Sequence, residues 1–89
     1  MIEVKKTIDK FLGMKVKDKV TTQTGVVTSI SFDLYGCVQC LVTPSVTQEN
    51  KRLDSMWYDN TRLEMESKKP VMDLPEFGYS KGPAKKPTL

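Results

Sequence analysis

GVVTSISFDLYGCVQCLVTP, residues 25–44, is the stretch on which the fold class turns. Val26, Thr28, Ile30, Phe32 and Leu34 alternate with Val27, Ser29, Ser31 and Asp33, a period of two that puts the two sets on opposite faces of a strand. Tyr35-Gly36 forms a short turn, after which Val38, Cys40 and Val42 share one face of a second strand. The β-branched and aromatic side chains suit a pleated, half-buried surface. This is a β-hairpin.

The same period continues on both sides. In MKVKDKV, residues 14–20, Met14, Val16 and Val20 share a face opposite Lys15, Lys17 and Lys19. Asp18 interrupts the apolar face, which predicts that the strand bends or meets solvent there. TTQTG is a turn cluster. Downstream, TQENKR is a polar hairpin loop, and in LDSMWYD Leu53, Ser55 and Trp57 alternate against Asp54, Met56 and Tyr58. Asp59 is placed to cap a tight turn at Asn60-Thr61 before a closing strand, RLEM. Five short strands with a single helical turn before the last predict a mainly β protein, a small SH3-like barrel over residues 14–66. Closure of such a sheet removes its aggregation-prone edges. Ile30, Val38, Trp57 and Leu63 are its expected core.

Residues 1–13 have a different period. Val4, Ile8, Phe11 and Leu12 lie on one face of a short helix, with Gly13 at the C′ position that favours positive φ. A helix of this length needs something to pack on, and covering one end of the barrel is the reading preferred over meeting a partner. Residues 67–89 hold four of the five prolines, so neither helix nor central strand is expected there. Val71, Met72, Leu74 and Phe77 make this extended tail apolar enough to pack, against a neighbouring subunit in a homo-oligomer or, as the weaker alternative, back on its own barrel. Residues 1–66 hold nine Lys/Arg and nine Asp/Glu, while the tail carries five lysines against Asp73 and Glu76 and so the whole net charge of +3. A basic tail can contact a phosphate backbone without sequence preference, but the barrel itself lacks the basic face of a dedicated DNA-binding fold.

A chain of 89 residues has room for one small core. It contains no histidine, which excludes Ser/His/Asp and Cys/His catalysis and all but all-Cys or carboxylate zinc sites. Cys37 and Cys40 spell C-V-Q-C, but i and i+3 on a strand point to opposite faces, so neither a disulfide between them nor a metal site is expected. No phosphate-binding glycine loop is present. No enzyme activity and no cofactor are predicted. With no apolar run of membrane-spanning length and no secretory signal, the chain is expected to be soluble and cytoplasmic.

Trp57, Tyr58, Asp59 and Arg62 are the densest group of recognition-prone side chains. On packing grounds Trp57 fills the core, Asp59 caps its turn and Arg62 pairs with a carboxylate. On functional grounds Tyr58, Asp59 and Arg62 contribute to a binding surface with Tyr35, an aromatic at a hairpin tip, and with Lys15 and Lys17. A nucleotide pocket would require Arg62, Lys15 or Lys17 to converge with Tyr35 or Tyr58.

Val20, Gly25, Val26, Val27 and Ile30 form a V-x-x-x-x-G-V-V-x-x-I pattern that resembles the opening hairpin of KOW and Tudor-like barrels. KVKDKV, Gly25-Val26, the LYGC turn from Leu34 to Cys37, and D-S-x-W-x-D-x-x-R-L-E from Asp54 to Glu64 resemble a family of small uncharacterised bacteriophage and prophage proteins. The resemblance spans residues 15–66; the N-terminal segment and Cys40 depart from it. It implies a setting in the cytoplasm of an infected host and no catalytic residues. The expected function is that of a non-enzymatic binding protein, a counter-defence factor that occupies a host immune protein or sequesters a nucleotide signal. The alternatives are a nucleic-acid-associated accessory protein and a virion structural or assembly protein.

Overall fold

The computed structural model describes residues 4–44 and 54–77. Helix α1 (Val4–Phe11) precedes five strands, β1 (Lys15–Asp18), β2 (Thr24–Phe32), β3 (Val38–Thr43), β4 (Met56–Asp59) and β5 (Leu63–Met65), with a 3-10 turn at Asn60–Arg62 between the last two. All pairings are antiparallel, in one sheet of order β4-β3-β2-β1-β5. Strands β1 to β4 follow one another as a meander, and β5 returns to pair with β1. The fold is mainly β with a short N-terminal helix. The sheet is not closed: among the described residues β4 and β5 do not pair with each other. The TQENKR loop lies outside the described residues.

The core is built from Phe11, Met14, Val16, Val27, Cys40, Val42, Tyr58 and Leu63, with Leu12, Ile30 and Met65 packed against it. In β3 the predicted face is the buried one, Val38, Cys40 and Val42. Leu63 is buried as expected, whereas Ile30 is only half-buried.

Two sets of strand faces differ from the sequence reading. In β2 the pairing runs Val26↔Thr43 and Val27↔Val42, then Ser29↔Leu41 and Ile30↔Cys40, so the register shifts between Val27 and Ser29. One extra residue in a bulge reverses the alternation. Val27 and Ile30, three apart, therefore both reach the core, and a strictly two-residue period assigns them to opposite faces. In β4 the faces are exchanged: Tyr58 is 8% exposed and inside, while Trp57, the expected core residue, is 47% exposed. Cys40↔Tyr58 and Leu41↔Trp57 are the facing pairs, so the side of β3 on which Cys40 lies decides the side of Tyr58. Val20, placed with Met14 and Val16 on the apolar face, instead lies beyond the end of β1 and is exposed.

Two glycines hold close approaches. A Cβ on Gly25 would lie 2.6 Å from the Thr43 carbonyl oxygen and 2.7 Å from Val42 Cγ1, so β2 and β3 can meet there only because position 25 has no side chain. Gly13 has φ +84° and ends α1 as its position predicted. Its N–H donates to the Val27 carbonyl at 2.8 Å, and its carbonyl accepts from Val71 N–H at 2.8 Å. One residue thus joins the helix end, β2 and the tail. Pro70 and Leu74 pack around it. Ser67 Oγ accepts from Lys15 N–H at 3.2 Å and donates to the Lys69 carbonyl at 3.0 Å. Residues 70–77 therefore strap their own chain along α1 and β2, the second of the two placements the sequence allows.

Candidate functional site

Asp18 organises one end of the molecule. It was expected to mark a bend or a solvent-facing point of β1, but its side chain has 0% exposure. A lone buried carboxylate is costly, and this one is fully partnered. Arg62 grips it with two parallel bonds, Nε to Oδ1 at 2.8 Å and Nη2 to Oδ2 at 2.6 Å. Thr21 adds its N–H and hydroxyl to Oδ2 at 2.9 and 2.7 Å. The Asp18 backbone shapes the same turn, donating to the Gln23 carbonyl and accepting from Thr22 N–H. Thr22 itself sits at φ +65°, an unfavourable conformation for a β-branched residue, and these bonds hold it there. The Arg62 guanidinium, followed by the Thr21 hydroxyl and amide, holds the Asp18 carboxyl well below the ordinary carboxylate range.

The 3-10 turn brings Arg62 to this position. Asp59 Oδ1 accepts from Thr61 N–H at 2.9 Å and from the Thr61 hydroxyl at 2.7 Å, the cap foreseen from the sequence. Those two bonds, the amide first, lower the Asp59 carboxyl's pKa. The Arg62 carbonyl accepts from Lys19 N–H at 2.8 Å, and its guanidinium lies 5.3 Å from the centre of the Tyr58 ring.

The structure therefore brings Tyr58, Asp59 and Arg62 together, but as an internal brace. Tyr58 was expected to face solvent and is in the core, because its parity on β4 follows Cys40. Arg62 already spends two donors on Asp18, and Asp59 is engaged by the turn. Lys17 pairs across β1 and β5 with Glu64, Nζ to Oε2 at 3.4 Å, and Lys15 is exposed on the same strand. Tyr35 stands apart at the β2–β3 tip, 86% exposed. Among the described residues, Arg62 and Tyr58 meet at the Asp18 brace and Tyr35 lies at the opposite, β2–β3 tip.

Two features escaped the sequence reading. Met56 and Trp57 lie exposed on β4, which is an edge strand of the sheet among the described residues. The D-S-x-W-x-D spacing contained the signal, because it makes Trp57 and Asp59 share a face, and an aspartate that caps an exposed turn is a poor neighbour for a core residue. A shallow apolar groove of about 300 Å³ also runs between α1, β2 and the strap, lined in part by Ile8, Leu12, Ile30, Phe32 and Phe77. It forms only when three separate segments meet.

Both cysteines are free, Cys37 exposed and Cys40 buried. Burial, with a smaller contribution from the Asp59 charge, pushes the Cys40 thiol up to about 11, so it behaves as a small core side chain. Among the described residues no three Cys, Asp or Glu side chains gather as a metal set, and no helix is long and apolar enough to cross a membrane. No family model, curated protein or solved structure matches the chain.

Proposed function

We propose that the chain is a small non-catalytic binding protein with an SH3-like barrel, acting on a protein partner in a phage-infected host as a counter-defence factor. The strand order β4-β3-β2-β1-β5 and the 3-10 turn ahead of β5 support the barrel. The observation that carries the choice of a protein partner is Trp57, half-exposed beside Met56 on an edge strand. An edge strand presents unpaired backbone groups to any chain that can add a strand, and natural proteins usually protect such edges with charge. Here Asp54 and Asp59 bracket the strand, and between them two large apolar side chains, Met56 and Trp57, are exposed. Strand addition along β4, anchored by Trp57, matches that surface.

A nucleotide sponge is the weaker form of the counter-defence reading. Its cations and aromatics would have to meet in an open pocket, whereas Arg62 is committed to Asp18 and Tyr58 is buried. The phage setting itself comes from the motifs between Lys15 and Glu64.

Affinity capture from host lysate with the full-length protein and with Trp57→Ala tests the proposal. Trp57 is outside the core, so the variant should keep the wild-type circular dichroism spectrum. Recovery of a host protein by the wild type, with at least a tenfold loss in the variant, is the expected result. Recovery of nucleic acid alone, released by salt, would favour the accessory-protein alternative.

A further inference from the structure

The two edges of the sheet among the described residues differ in how they are defended. β5 is three residues long, and its Glu64 is matched by Lys17 on β1. β4 has Met56 and Trp57 exposed at its centre and carries charge only at its ends, with Asp54 just before the strand and Asp59 as its last residue. Among the described residues neither of these carboxylates is in an ion pair. Arg62, whose charge is felt at Asp59, is itself matched by Asp18, so that pair adds no net charge. Thr61 engages Oδ1 of Asp59 and leaves Oδ2 available.

The edge is also held in place. The Ser55 hydroxyl bonds to Thr43 Oγ1 at 2.9 Å, and Thr43 Oγ1 to Thr28 Oγ1 at 2.8 Å, a ladder of hydroxyls from β2 to the start of β4. At the far end the Asp59 cap fixes the turn. Such a preformed edge needs little ordering when a partner docks. By two-residue alternation Ser55, Trp57 and Asp59 share one face, and Asp54 and Met56 the other. An added strand would thus set apolar side chains beside Trp57 and Met56 and meet one carboxylate at each end. Opposite charges across a strand pair stabilise it, and like charges oppose it. We propose that the β4 edge selects, among protein partners, an extended segment that is apolar in the middle and carries lysine or arginine at both ends. This selection presupposes strand addition at β4, the reading proposed above.

A second copy is a poorer occupant. A two-fold pairing that continues the sheet faces and sets Trp57 opposite Trp57 puts Asp59 of each copy opposite Ser55 of the other, beside the other's Asp54. Two carboxylates then crowd each end of the joined strands. The same charges that draw a basic segment therefore oppose self-pairing, the hazard of an uncovered edge.

Nuclear magnetic resonance on the ¹⁵N-labelled full-length protein, titrated with two blocked peptides, tests the selection. Both peptides alternate valine and threonine in the middle; one has lysine at each end and its twin glutamate. The lysine-ended peptide is expected to move the amide signals of residues 55–59 and to bind about tenfold more tightly than its twin. The double variant Asp54→Asn, Asp59→Asn should erase that difference. Asparagine at position 59 can still accept from Thr61, so the variant's circular dichroism should match the wild type. Equal binding of the two peptides at β4 would overturn the charge selection and leave strand addition standing. If neither peptide moves those amides, strand addition itself fails and the selection with it. A wild-type dimer in light scattering that Trp57→Ala dissociates would make a second copy the occupant and overturn the proposal.

Discussion

Asp18 is a carboxylate with no solvent contact in a fold with a small core, and its partners give it a definite pH signature. Its pKa and that of Asp59 are lower in the folded chain than in the unfolded one, where an aspartate titrates near 3.9. As the pH falls through about 4, the unfolded chain takes up protons that the folded chain resists, so stability present above that pH is progressively lost below it. The guanidine hydrochloride midpoint should thus be level near neutral pH and drop on the acid side of about 4. Asp18→Asn should lower the midpoint at neutral pH, because Arg62 loses its charged partner and Thr21 a stronger acceptor. It should also flatten the acid drop, leaving the part due to Asp59. An unchanged acid drop in the variant would show that Asp18 is not the group responsible.

At the scale of elements, the contact between β2 and β3 depends on position 25. The added methyl of Gly25→Ala meets a backbone carbonyl at 2.6 Å, and a paired strand cannot yield as a flexible side chain would. Overpacking of this kind costs about 1–3 kcal/mol, a large share of the stability of so small a domain. Chemical denaturation should show that loss with no change in strand content at neutral pH. The bulge at Thr28 works in the other direction. By turning β2 over, it lets Val27 meet the base of the helix through the Gly13 and Met14 backbone while Ile30 still packs opposite Cys40. The edge strand β4 inherits its faces from β3, and this is why Tyr58 rather than Trp57 completes the core.

In the molecule as a whole, the strap is what the sheet and helix have in place of a larger core. Pro70 and Leu74 cover Gly13, and Leu74 is half-buried, so docking these side chains stabilises the fold by about 1 kcal/mol. Truncation after Lys69 should lower the thermal midpoint by about 4–8 °C and leave the circular dichroism spectrum of the sheet intact. A midpoint unchanged by truncation would mean that the strap contributes no stability.

The element order, the helix end at Gly13, the Asp59 cap and the inward face of β3 are all legible from local sequence. Each depends on neighbours within a few residues: a helical period, a glycine that accepts positive φ, a carboxylate two positions from its donor, a strand with unbroken alternation. Tertiary structure decided what depended on distant partners. Asp18 reads as an interruption of an apolar face until Arg62, 44 residues away, is brought beside it. Trp57 and Tyr58 are equally plausible core residues until β4 takes its register from β3. Tyr35, Lys15, Lys17 and Arg62 form a ligand pocket only if their side chains are free to converge, and the fold commits Arg62 to Asp18 and sets Lys17 beside Glu64. The groove needed the helix, β2 and the strap in place together. Alternation assigns residues to one of two faces, but it takes a bulge or a neighbouring strand to decide which face is turned inward.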